Sequence, residues 1–171
     1  MVDNRRRAFM RTPFKRTSKV SIQPLPWLKD VSTFTDNCTR CGKCIKACET
    51  SIIKQGDGGF PSVDFKSGEC TFCYACADAC PEPLFLEEHA QPWQQVISID
   101  DACLAKKSVE CRSCADTCET QAIRFRLSVG SVAQPQFNSD DCTGCGACLS
   151  PCPVDAITMQ TNTKTITEQQ L

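Results

Sequence analysis

The residues best equipped for chemistry in this sequence are cysteines, and they recur in a fixed rhythm. Residues 70–81 read Cys70-Thr-Phe-Cys73-Tyr-Ala-Cys76-Ala-Asp-Ala-Cys80-Pro81. That C-x2-C-x2-C-x3-C-P spacing matches the bacterial pattern for holding a cubane iron–sulfur cluster. Three thiolates on one looping segment can each reach an iron of a single small cube, while the fourth leaves the loop towards a second cluster. Zinc fits less well, because structural zinc takes separated ligand pairs and often histidine. Here four cysteines fall within one short segment of a chain that has one histidine, His89, which reads as a surface residue. The even cysteine count permits disulfides, but repeated tight C-x2-C steps are poor disulfide geometry.

The unit occurs four times, which is the main organisational fact of the sequence. The first copy holds Cys38, Cys41, Cys44 and Cys48, and the fourth holds Cys142, Cys145, Cys148 and Cys152. In the third, Cys111, Cys114 and Cys118 keep the last three spacings, but Ser108 stands where the first cysteine is expected. Cys103 lies five residues further upstream. Its approach, Ile99-Asp100-Asp101-Ala102-Cys103, resembles Phe137-Asn138-Ser139-Asp140-Asp141-Cys142, so Cys103 reads as the first ligand after an insertion. A three-iron cluster, a strained or labile fourth site and free cysteines are the competing readings of this set.

If the fourth cysteine of each motif crosses over, Cys38, Cys41 and Cys44 share a cluster with Cys80, and Cys70, Cys73 and Cys76 share one with Cys48. In the second half, Cys103, Cys111 and Cys114 pair with Cys152, and Cys142, Cys145 and Cys148 with Cys118. Glu49 and Glu119 stand where the other two motifs have Pro81 and Pro153, so each half has one motif of either kind. Small residues inside the motifs, Gly42, Ala75, Gly144 and Gly146, let backbone approach a bulky cluster. Apolar pairs follow each last cysteine: Ile52-Ile53, Leu84-Phe85, Ala122-Ile123 and Ala156-Ile157. Short alternating runs precede three sets, at 61–65, 96–99 and 135–137. The pattern predicts strand, cluster loop, short helix, strand. The expected class is α+β and ferredoxin-like: two pseudo-symmetric two-cluster modules with short strands and helices around the clusters. The expected division is a basic arm and linker over 1–35, modules over 36–90 and 91–160, and a polar tail over 161–171.

Composition agrees with a metal-held scaffold. Sixteen of 171 residues are cysteine and only 7% are aromatic, so the metal must contribute folding free energy and the metal-free chain should be largely disordered. No apolar run is long enough for a membrane span. The net charge of −1 hides an uneven distribution: residues 1–19 carry seven basic side chains against Asp3, leaving twelve basic and nineteen acidic residues elsewhere. An acidic body suits a small redox protein that docks on basic patches. The arm, with Arg5, Arg6, Arg7 and Arg11, is either a solvated tail or a partner-docking element. Its start resembles a twin-arginine export signal, but Pro13, Lys15, Arg16 and Lys19 stand where an apolar h-region is needed, so a cytoplasmic protein is expected. Pro24, Leu25, Pro26 and Trp27 read as an extended linker with one aromatic anchor. Nothing supports nucleic-acid binding. No nucleophile–base pair or phosphate loop supports an enzyme.

Nearly the whole chain resembles the NapF family of ferredoxin-type proteins, encoded with bacterial periplasmic nitrate reductase. The resemblance is carried by 38–41, 59–63, 69–76, 101–105, 108–112 and 142–148, which include Gly59-Phe60-Pro61-Ser62-Val63 and Ser108-Val109-Glu110-Cys111-Arg112. It implies a cytoplasmic accessory protein with [4Fe-4S] clusters. Such a protein would bind the unexported precursor of the molybdenum-containing catalytic subunit and assist its maturation, by loading or reducing its cluster. Three motifs are the usual assignment in that family, matching motifs one, two and four here; a fourth cluster on Cys103, Cys111, Cys114 and Cys118, whichever way the fourth cysteines cross, is the further expectation. The alternative function is a single-electron carrier serving a reductase.

Overall fold

The computed structural model describes residues 23–161. The four arginines of the arm and nearly all of the expected C-terminal tail lie outside the described residues. Among those described, six short strands form three two-stranded antiparallel ladders. β1 (Ile53–Gln55) pairs with β2 (Pro61–Val63), β3 (Gln95–Ile99) with β6 (Ile157–Thr161), and β4 (Ile123–Ser128) with β5 (Ser131–Phe137). The apolar residues expected after the cysteine sets open β1, β4 and β6, and the alternating runs lie in or beside β2, β3 and β5. The alternation places one face of each ladder inwards: Ile53 and its partner Val63 are both buried, as are Ile97, Ile123 and Ile157.

The first module completes itself with residues ahead of its first motif. Leu28 forms a β-bridge to Phe85, flanked by Lys29 N–H to Leu84 O at 3.0 Å and Leu86 N–H to Trp27 O at 2.7 Å. Trp27 is the expected anchor: it is buried, and its indole N–H donates to the carbonyls of Glu88 and Ala90 at 3.1 and 2.9 Å. Beyond it runs a helix that the cysteine pattern does not announce, α1 (Val31–Asn37). Asp30 caps it, accepting from Thr33 N–H at 2.8 Å, a standard way of satisfying a free amide of the first turn. Phe34, 2% exposed, fastens α1 to the core. The described part of the expected linker, from residue 23 onward, packs on the first apolar cluster through Leu25 and Phe34, and α1 runs across residue 36.

Three one-turn helices, α2 (Lys43–Ala47), α3 (Ala75–Asp78) and α4 (Ser113–Asp116), lie inside the first three cysteine motifs. The fourth motif makes a hydrogen-bonded turn instead, with Leu149 N–H on Gly146 O at 3.0 Å. Two apolar clusters result. One gathers Leu25, Phe34, Ile52, Ile53, Phe65 and Leu84 with Cys76, the other Ile97, Ile123 and Ile157 with Cys114 and Cys148. No helix among the described residues is long and apolar enough to cross a membrane.

Candidate metal centre

Each module's ladders and helical turns bring thiols from two distant motifs to one cavity. Cys38, Cys41 and Cys44 line a cavity with Cys80. Cys70, Cys73 and Cys76 line a second with Cys48. Cys103, Cys111 and Cys114 line a third with Cys152. For the fourth set, Cys145 and Cys118 lie near Cys142, Cys145, Cys142 and the third set's Cys114 lie near Cys148, and Cys118 and Cys145 share a groove wall. Three cavities thus each draw four thiols from two motifs.

The third set closes because its insertion folds back on itself. Lys107 N–H donates to Cys103 O at 3.1 Å and Val109 N–H to Leu104 O at 2.9 Å. Ala105, fully buried, accepts from the Gln134 amide at 2.8 Å, and the Lys106 ammonium reaches Ile99 O at 2.7 Å. The extra residues form a turn pinned to β5 and the end of β3. Cys111 therefore returns beside Cys103.

The donor sets fit a cubane. All sixteen cysteines are free thiols. In three of the sets four thiols line one cavity, the all-sulfur donor chemistry such a cluster takes. Burial dominates the thiol chemistry. It pushes Cys76 and Cys148 up to about 12, and Cys44, Cys70 and Cys114 up to about 11. Cys41, on the surface, is lowered, chiefly by the Lys43 amide. At Cys48 burial raises the value, but amides of Ile53, Ile52 and Ser51 and the Thr50 hydroxyl together outweigh it, for a net lowering. When bound, such clusters supply one-electron exchange, and hydrogen bonds to sulfur and exposure set its potential.

The sequence reading missed part of the sulfur surroundings. The Thr50 hydroxyl lies 3.6 Å from Cys48 Sγ and the Thr120 hydroxyl 3.7 Å from Cys118 Sγ, both placed to donate to a thiolate. The signal was present as a repeated Cys-Glu-Thr at 48–50 and 118–120. The Ala156 amide also donates to Cys152 Sγ at 3.3 Å.

Comparison with known proteins matches the same two halves. One 4Fe-4S dicluster domain family matches residues 37–83 and another residues 97–159. Over 159 residues the chain is 51% identical to the ferredoxin-type protein NapF of Escherichia coli (strain K12), covering 93% of this chain and 96% of that protein. It is 48% identical to NapF of Haemophilus influenzae, covering 90% and 92%. Likeness to the ferredoxin-type protein NapG of Escherichia coli (strain K12) is weaker, 29% over 82% of this chain and 69% of that one.

Proposed function

The chain belongs to the NapF family of ferredoxin-type proteins, and from that premise we propose that it is a cytoplasmic accessory protein of periplasmic nitrate reductase. It binds the unexported precursor of the catalytic subunit and assists its maturation, by cluster loading or reduction, before export. The observation that carries this reading is the extent of the likeness, which runs through both dicluster regions rather than over one motif. Four [4Fe-4S] clusters are held by the sixteen cysteines in the crossed sets described above. In this reading the chemistry is that of the clusters, and the protein acts as an accessory or carrier rather than an enzyme. Residues 36–90 and 91–160 form pseudo-symmetric modules. Support comes from the matched Cys-Glu-Thr triplets and from the Leu28–Phe85 bridge, which occupies in the first module the place of the β3–β6 ladder in the second.

Arg5, Arg6, Arg7 and Arg11 dock the partner in this reading. One observation favours the plainer alternative of a single-electron carrier: Cys41 and Cys73 are exposed, which brings the rim of two clusters to the surface where a redox partner could meet them. An anaerobic pull-down from the cytoplasm separates the two. The precursor, signal peptide attached, is expected with the loaded protein and not with the apo form, and deletion of residues 1–19 should weaken its capture without changing the iron content. An eluate without precursor would leave the carrier reading. Iron analysis tests the cluster count: about 16 irons per fully loaded chain are expected, and about 12 would remove the cluster of the third motif.

A further inference from the structure

We propose that the contact between the two modules is an electron bridge. Cys70 and Cys145, joined by a backbone hydrogen bond and held there by Gly146 seated against Phe65, carry one electron between the inner cluster of the first module and the inner cluster of the second. The four cysteine sets then act as one conductor, not as two carriers sharing a chain. This rests on the reading that the inner sets, Cys48 with Cys70, Cys73 and Cys76, and Cys118 with Cys142, Cys145 and Cys148, are loaded.

The Cys70 N–H donates to Cys145 O at 2.9 Å. The path from sulfur to sulfur is therefore Sγ–Cβ–Cα–N–H to O=C–Cα–Cβ–Sγ, with no third residue in it. Neighbour relations among the thiols extend this into a line. Cys44 of the outer set of the first module lies near Cys76, Cys70 near Cys145, and Cys148 near Cys114 of the outer set of the second. With both inner sets loaded, Cys70 and Cys145 would pass one electron from a reduced cluster on one side to an oxidised one on the other. No atom or proton crosses, and the first electron comes from any one-electron reductant of low potential.

The fit around the bridge shows what holds it. The residue after the second cysteine of a motif takes positive φ in three motifs: Gly42 at +72°, Tyr74 at +63° and Gly146 at +82°. Tyr74 shows that this bend accepts a side chain. At Gly42 a Cβ would meet no other protein atom, since this glycine faces the cavity of the first set. At Gly146 a Cβ would fall into the ring of Phe65, which belongs to the other module. Glycine at 146 is thus required by the neighbouring module. Gly144 is confined from within its own module, where a Cβ would lie 2.6 Å from Gln95 O and 2.8 Å from the Trp93 indole nitrogen, and so it keeps Trp93 in place. Trp93 closes the contact: its ring meets Phe65 and Phe72 edge-on, at 5.7 and 5.9 Å between centroids, and its N–H donates to Thr143 O at 3.3 Å. Modules joined by a slack linker would need none of these close approaches.

The test uses full-length, anaerobically reconstituted protein reduced with dithionite and followed by electron paramagnetic resonance, with iron measured on each sample. Native protein should show spin–spin broadening and fast relaxation from the inner pair beyond that within either module. Gly146→Ala should lose this component while keeping the iron. Gly130→Ala, the same backbone strain in open space at the β4–β5 turn and away from every cysteine set, should keep it, and adding Phe65→Ala to Gly146→Ala should bring it back. A Gly146→Ala protein with full iron and the native spectrum would overturn the bridge. Should that variant lose iron, hydrogen exchange at the Cys70 amide of the native protein decides: slow exchange upholds the hydrogen bond, and exchange as fast as an open loop overturns it. Inner sets that bind no iron would also overturn it, visible in the metal analysis alone, whereas a failed precursor pull-down would leave it standing.

Discussion

Cys80 is the residue on which the crossing of ligands turns. It follows Cys76 closely in sequence, yet it shares its cavity with Cys38, Cys41 and Cys44 rather than with the rest of its own motif. Cys80→Ala is therefore expected to damage the cluster of the first motif and to spare that of Cys48, Cys70, Cys73 and Cys76, as read by cluster-resolved resonance spectra and iron content. Damage confined to the second motif's cluster would show that ligands do not cross. The thiol environments add a pH dependence. Burial holds Cys44, Cys70, Cys76, Cys114 and Cys148 well above the ordinary value of 9.0. These groups favour the metal-free fold fully below about 9 and withdraw that support as the pH climbs towards 11 and 12. Loading has the opposite sign, because iron takes thiolate and each buried thiol must give up its proton. Reconstitution should become faster and tighter from pH 6 to pH 8 and should release protons. Calorimetry in two buffers of different ionisation heat measures that release, and equal heats in both would refute it.

At the scale of elements, what was legible followed from what the cysteines constrain. The spacing suggested crossed sets, and in three cavities thiols from two motifs do lie together. The apolar pairs after each set marked β1, β4 and β6. The stretch before the first motif was not legible in the same way. Pro24 and Pro26 suggested an extended linker with Trp27 as its anchor, but nothing local announced that Leu28 bridges to Phe85, a partner separated from it by both cysteine motifs. Such a contact leaves no local trace. The α1 helix did leave one, in Asp30-Val31-Ser32-Thr33, an N-cap signal eclipsed by the louder cysteine pattern. The Asp30 carboxyl is held down to about 2, first by the Ser32 hydroxyl and then by the Thr33 amide and hydroxyl. Asp30→Ala should free the first turn of α1 and speed hydrogen exchange there, with Asp30→Asn close to native because asparagine also caps. Unchanged exchange in Asp30→Ala would assign the stability of α1 to Phe34 alone.

On the scale of the whole molecule, the cores and the metal sites are one structure. Cys76 belongs to the first apolar cluster, with Cys38, Cys44, Cys48, Cys70 and Cys80 packed on it, and Cys114 and Cys148 belong to the second. Few large side chains share this task, and among the described residues the largest fully buried ones are Phe34, Leu25 and Ile52, all in the first apolar cluster. Removing the clusters therefore takes out the centre of both cores and leaves ladders of three to seven residues, too short to persist alone. Anaerobic iron chelation is expected to abolish far-ultraviolet circular dichroism and the exchange protection of β3 and β6. The course of that loss carries further information. Because Phe65, Trp93 and Gly146 lock the modules together across their boundary, stripping either module exposes the face on which the other rests. Both should then unfold in a single transition, with protection lost in β1–β2 and β3–β6 at the same chelator concentration. Two separate transitions would mean that the interface fixes geometry without sharing stability.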